Sequence, residues 1–143
     1  MRSKKKKIKL TSIPVIHRRL FRIASQVCRE NANETCEICG LVKGDVYNHK
    51  KQRVEAHHIM SRSNKDSPLK WDVRNLICLC TKCHKTGRRS AHKHGLWFAR
   101  EFYKIRPEDY EWIIEHTDDE VNLRNRDYLQ QVEENLKKQI KRS

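Results

Sequence analysis

NLICLCTKCH, residues 75–84, holds an apolar run, a cysteine pair and two side chains that carry chemistry within ten positions. The NLICLC part is compact and apolar and reads as a strand-like run. Cys80 and Cys83 then stand with two residues between them, and CEIC, residues 36–39, repeats that spacing at Cys36 and Cys39. Four thiolates in two such pairs match a tetrahedral structural zinc site. The rival readings are two unrelated thiol pairs or a redox pair, though redox motifs do not usually come doubled. Cys28 and Cys78 lie outside the pairs and read as small buried hydrophobes. A zinc ion joining residue 36 to residue 83 would close a loop containing His57, His58 and Asn75, ending one residue before His84. Structural zinc is worth about 10–16 kcal/mol in small peptides, enough to offset a thin core.

The core is expected to be thin. The chain has 143 residues, of which 36% are hydrophobic and 7% aromatic, while 35% are charged. That length suits one domain. A net charge of +14 and a pI near 9.8 point to a polyanionic partner, most simply nucleic acid. A ribosome-like basic protein or an anionic membrane surface are the alternatives. No run of 18 apolar residues is present, so no transmembrane helix is expected. The start, MRSKKKKIKL, has charge but no apolar stretch after it and does not read as a secretory signal. A cytoplasmic protein with reduced thiols is therefore expected.

Along the chain, residues 1–10 read as a basic arm with Lys4, Lys5, Lys6 and Lys7 as DNA-binding candidates. Residues 12–31 read as a helix with Pro14 in its first turn and Val15, Ile16, Leu20, Ile23, Ala24 and Val27 at helical spacing. ETCEICG forms a knuckle, RVEAHHI a strand, and residues 60–72 a polar loop. TKCHKTGRRSAHKH begins as a helix. GLWFAREFYKI and PEDYEWIIEH give two short helices. The last helix starts at a capping box, Thr117 with Glu120, and carries a stripe from Val121 to Ile140 that covers the core or docks a partner. The aromatic residues Trp71, Trp97, Phe98, Phe102 and Trp112 read as satellite core. Residues 108–120 carry seven acids and no Lys or Arg, whereas residues 85–106 carry seven Lys or Arg and one acid. Nucleic acid should meet the arm, the first helix and the middle of the chain.

The order CEICG, VEAHHI, WDVRNLICLCTKCH resembles the HNH endonuclease family in its zinc-stapled form, over residues 36 to 84. The first helix and the run SAHKHGLWFAREF look most like HNH proteins encoded by bacteriophages. The resemblance implies a small α+β fold: a ββα-metal (His-Me finger) core stapled by the four cysteines, with flanking helices at both ends. The implied division is an arm and helix over 1–34, a nuclease core over 35–104 and a helical extension over 105–143. It implies that His57 and His84 bind one catalytic divalent ion, Mg²⁺, Mn²⁺ or Ni²⁺, that His58 is the general base, and that Asn75 fixes the loop that orients His58. The strand is expected to end at the paired histidines, so that both can converge on one site. For His57 a role as hydrogen-bond partner to a ligand, and for His84 zinc ligation beside Cys83, stay open; His92 and His94 are less favoured candidates to join the metal, since most histidines in basic loops bind nothing, and His17, His49 and His116 have no motif. Arg88, one helical turn beyond His84 if the helix continues, and Arg89 are candidates to touch phosphate.

The function implied is metal-dependent hydrolysis of DNA phosphodiesters, by nick or double-strand break, leaving 5′-phosphate and 3′-hydroxyl ends. Two rivals remain: a zinc-stapled DNA-binding module without catalysis, and a component of a phage packaging or recombination complex with little activity alone.

Overall fold

A computed structural model describes residues 10–47, 49–61 and 66–141. The expected DNA-binding lysines Lys4, Lys5, Lys6 and Lys7 lie outside them. The described chain is a small α+β structure built on two antiparallel strands, β3 (Val54–His58) and β4 (Leu76–Cys80), in the register Val54 opposite Cys80 to His58 opposite Leu76. Neighbouring side chains on a strand point to opposite faces. On β4 every residue is buried, and the alternation divides two cores. Leu76 and Cys78 join Ile16, Leu20, Ile23, Leu129 and Leu136; Ile77 and Leu79 join Leu69, Phe98, Phe102 and Ile113.

The first core is made by α1 (Ile13–Asn31) and α4 (Arg126–Gln139). The apolar residues of α1 recur at the helical period, so one stripe faces inward while Arg18 and Arg22 stay exposed. Arg19 pairs with Glu133 across the two helices. The second core is closed by α2 (Gly95–Ile105) and α3 (Pro107–His116), which meet at Arg106. There the Arg106 guanidinium donates to the Leu76 carbonyl and lies 3.2 Å from Asp109 and 3.6 Å from Glu37. That cation ties the α2–α3 corner to both β4 and the first cysteine pair. A small hairpin of β1 (Val46–Tyr47) and β2 (Lys50–Lys51), not anticipated from the sequence, follows the knuckle.

Two local expectations are corrected. The last helix does not start at Thr117. The Thr117 hydroxyl donates to the Ile113 carbonyl at 2.7 Å and so closes the end of α3; α4 starts at Asn125, whose side chain accepts from Tyr128 N at 3.1 Å. No helix runs on from Thr81 either. Lys82–Thr86 form a single π-helical turn that stops at Gly87, so a ββα unit of full form is not seen. A Cβ at Gly87 would sit 2.7 Å from the Lys82 carbonyl oxygen, so only glycine lets the turn close this tightly. Arg88 is therefore not one helical turn beyond His84; it lies exposed in the following loop with Arg89. Among the described residues no helix is long and apolar enough to cross a membrane.

Candidate active site and metal centres

The two cysteine pairs come together. The sulfurs of Cys36, Cys39, Cys80 and Cys83 all lie within 4.8 Å of one another. Each pair has its own local cause. After Cys36 the chain reverses through Gly40 (φ 79°), and Gly40 N donates to the Cys36 carbonyl at 2.9 Å. The second pair spans the end of β4 and the π-helical turn. Tetrahedral Zn–S bonds of about 2.3 Å place sulfurs about 3.8 Å apart; Cys39 Sγ and Cys80 Sγ are 3.6 Å apart. The thiols are electrostatically crowded. Cys36, hydrogen-bonded by Cys83, is pulled down to about 4, while burial pushes Cys39 up to about 11 and the bond to Cys36 pushes Cys83 up further. Four thiolates this close need a cation between them, and the donor set suits zinc.

The second cluster contains His57, His84 and His92, whose ring nitrogens also lie within 4.8 Å of one another. His57 and His58 both stay in the regular ladder of β3, opposite Ile77 and Leu76. The strand ends at His58, as expected, but both histidines keep regular strand geometry, so the two rings sit on opposite faces. His57 packs edge-on against His84, His92 and Phe98 at 4.8, 5.2 and 5.2 Å between centroids. His58 stacks on Phe21 of α1 at 5.3 Å with an interplanar angle of 15°. Both line one cavity of about 550 Å³, with Phe21, Glu55, His84 and His92 also in its wall.

His84 sits in the π-helical turn and its Nδ1–H donates to Glu55 Oε2 at 2.9 Å, which puts the lone pair on Nε2. That Nε2 is 3.0 Å from His92 Nε2. Two nitrogens bound at right angles to one ion, each at about 2.1 Å, lie about 3.0 Å apart, so the pair fits a shared metal. Burial pulls His57 down to about 3 and lowers His84 as well, with the Glu55 bond opposing the shift at His84. Both are therefore neutral at neutral pH, the form that binds metal. Nothing in this arrangement holds His84 in the cysteine cluster, although it follows Cys83 directly.

Asn75, 1% exposed, is bonded wholly to backbone. Its Oδ1 accepts from Met60 N at 2.8 Å and its Nδ2 donates to the Met60 and Leu69 carbonyls at 3.2 Å each. These bonds hold the turn Pro68–Trp71, and that turn presents the Lys70 carbonyl to His58 Nε2 at 2.8 Å.

Three contributors were missed in the sequence. Glu55 lies two residues before His57, hence on the same strand face, and alternation could have found it. His92 is brought back by Ala91 N to Cys83 O at 2.8 Å and His92 N to His84 O at 3.2 Å, a loop closure with no periodic signature. Phe21 showed only as one more residue of an amphipathic helix. His94 stays out of the histidine cluster: its Nδ1 accepts from Trp97 N at 3.1 Å and caps α2. Trp71, Phe98 and Phe102 are core, as expected, with Trp97 and Trp112 packed at its margin.

The family model described as HNH endonuclease matches residues 36–89. The match begins at the first cysteine and ends before His92, and α1 with Phe21 lies outside it. No curated protein and no solved structure matches the chain.

Proposed function

We propose that the protein is a metal-dependent DNA endonuclease. The observation that carries this reading is the cavity in which His58, anchored through Nε2, adjoins the His57–His84–His92 cluster. A carbonyl only accepts, so the Lys70 oxygen holds the proton on Nε2 and places the basic lone pair on Nδ1. The lone pair of a neutral imidazole can take the proton of a water that attacks phosphorus. Phe21 stacks on the ring and fixes its plane, and Asn75 fixes the turn that carries the Lys70 carbonyl. His57, His84 and His92 would hold one divalent ion, with Glu55 orienting His84. A bound divalent ion neutralises phosphate charge and stabilises the departing 3′ oxygen. In-line attack by water with loss of that oxygen leaves 5′-phosphate and 3′-hydroxyl ends. Three imidazoles favour Mn²⁺, Ni²⁺, Co²⁺ or Zn²⁺ over Mg²⁺. The four cysteines would hold a separate structural zinc.

The phosphate backbone would be met by exposed cations around the cavity. Arg18 and Arg22 lie one turn apart on α1, flanking Phe21; Lys85 lines the cavity; Arg88 and Arg89 follow it. A phage packaging or recombination protein as partner is supported by the sequence resemblance alone.

The test is supercoiled plasmid incubated with zinc-loaded protein and Mg²⁺, Mn²⁺, Ni²⁺ or EDTA, with product ends mapped. Cleavage should need added metal and fall about 10²–10⁴-fold in His58→Ala, with zinc content and DNA affinity kept. DNA binding with no cleavage at any metal would leave a zinc-stapled binding module instead.

A further inference from the structure

A second recess, of about 300 Å³, lies beside the cavity and is lined by Arg89, His94, Leu96, Trp97 and Arg100. It is close to the histidine cluster by two routes. His94 is two residues from His92, so their Cα atoms are at most about 7 Å apart. Phe98, next to Trp97 on α2, is the residue that His57 meets edge-on. Among the described residues no acidic side chain lines it. Arg100 does lie 3.6 Å from Glu101, but its side chain is 60% exposed. Such surface pairs hold too weakly to withhold a cation from a phosphate.

The lining is chemically specific. Two guanidiniums recognise phosphate oxygens in pairs. The indole of Trp97, packed at the core margin, offers a platform to a base. Leu96 projects from the first turn of α2 and is 85% exposed, the highest value among the large hydrophobic residues described. An apolar side chain flanked by cations is the pattern by which proteins part a base step. The volume lies at the small end of ligand pockets and suits one base.

We propose that this recess is a nucleotide subsite: it takes one unstacked nucleotide of the DNA strand beside the cleaved phosphate, with Leu96 as the wedge. The inference rests on the endonuclease reading for which strand is bound. The protein would then prefer DNA in which a nucleotide is already loose, since no unstacking has to be supplied.

The test is binding of full-length, zinc-loaded protein carrying His58→Ala, so that the DNA stays intact. Two duplexes are compared, one fully paired and one with a single bulged nucleotide labelled by a fluorescent base analogue. Stacking on an aromatic side chain corresponds to about 5- to 150-fold in affinity, so the bulged duplex should bind at least about 5-fold tighter. Adding Trp97→Ala should remove that preference, whereas adding Leu96→Ala should weaken the fully paired duplex more than the bulged one. Adding Arg100→Ala should lower the slope of log K against log salt by about 0.9 on both duplexes. Circular dichroism and zinc content check that each variant is folded. Equal binding of the two duplexes, or a preference untouched by Trp97→Ala together with a slope untouched by Arg100→Ala, overturns the subsite. Plasmid cleavage by the unmutated chain is scored separately. Cleavage without a bulge preference removes the subsite and leaves the nuclease; a Trp97-dependent preference without cleavage upholds the subsite and removes the nuclease.

Discussion

Asn75→Ala should unfasten His58, the proposed general base, without touching it. The amide makes three hydrogen bonds to backbone, one accepted from Met60 N and one donated to each of the Met60 and Leu69 carbonyls, in a place sealed from water. Each bond contributes about 0.5–1.5 kcal/mol net, so removing three costs about 2–4 kcal/mol. For a domain of this size that is a loss of roughly 5–12 °C in Tm. At a temperature where the variant remains folded, the Pro68–Trp71 turn is no longer tied to residue 60, and the Lys70 carbonyl no longer holds His58 in place. Cleavage should then fall by at least about tenfold, with metal affinity kept, because His57, His84 and His92 are anchored elsewhere. Asn75→Asp sharpens the test. It keeps the acceptor for Met60 N but sets a carboxylate against two carbonyl oxygens, so it should be no more stable than Asn75→Ala. Differential scanning calorimetry and plasmid nicking at saturating Mn²⁺ measure the two effects. An Asn75→Asp protein with wild-type Tm and rate would refute the reasoning, since the two donated bonds would then count for nothing.

Removing His92 should weaken the catalytic ion and not the fold: His92→Ala should shift the metal titration of cleavage upward by tenfold or more, with the rate recovered in excess metal. Glu55→Gln should shift it by about tenfold, since outer partners of ligating histidines are typically worth 10–100-fold. Chelation should separate the two centres, with mild chelator abolishing cleavage reversibly and removal of the cysteine-bound ion unfolding the protein, as Cys36→Ser should also do. His57 gives a pH signature in the metal-free site. Its folded pKa, about 3, lies below the ordinary 6.5, so the unfolded chain binds more protons. The stability it supplies is complete above about 6.5 and is lost as pH falls toward 3. Urea midpoints measured with the catalytic ion removed should fall between pH 6.5 and 5, and His57→Ala should flatten that decline; an unchanged slope would contradict it.

What could be read from the sequence was whatever is fixed by spacing along the chain. Cys36, Cys39, Cys80 and Cys83 announce one centre because two residues between thiols is a ligand geometry in its own right. The amphipathic stripe of α1 and the apolar run of β4 were legible for the same reason, as each is a local periodicity. His92 was not, because it enters through a loop folded back by two backbone bonds onto Cys83 and His84. Thr117 failed differently. A threonine hydroxyl satisfies a donor at a helix start or a carbonyl at a helix end, and only the packing of α3 decides which. The paired histidines posed the right question and drew an incomplete answer: the strand does end at His58, but the pair stays in the regular ladder and both rings still line one cavity.

The clasp between α1 and α4 sets when the site can exist. Arg19 and Glu133 are 114 positions apart, and Arg126 reaches back to the Thr11 carbonyl at 2.7 Å. Contacts of such separation form late, because the chain between them must first be gathered. The cysteine clip needs only residues 36–83. Translation at about 5–20 residues per second delivers the end of α4 roughly 3–11 s after Cys83. During that interval α1 has no partner for the stripe that Leu129 and Leu136 will cover, and Phe21 has no firm seat over His58. A nascent chain thus carries its metal ligands before it carries a braced base. On the endonuclease reading proposed above, synthesis of α4 is the step that arms the site.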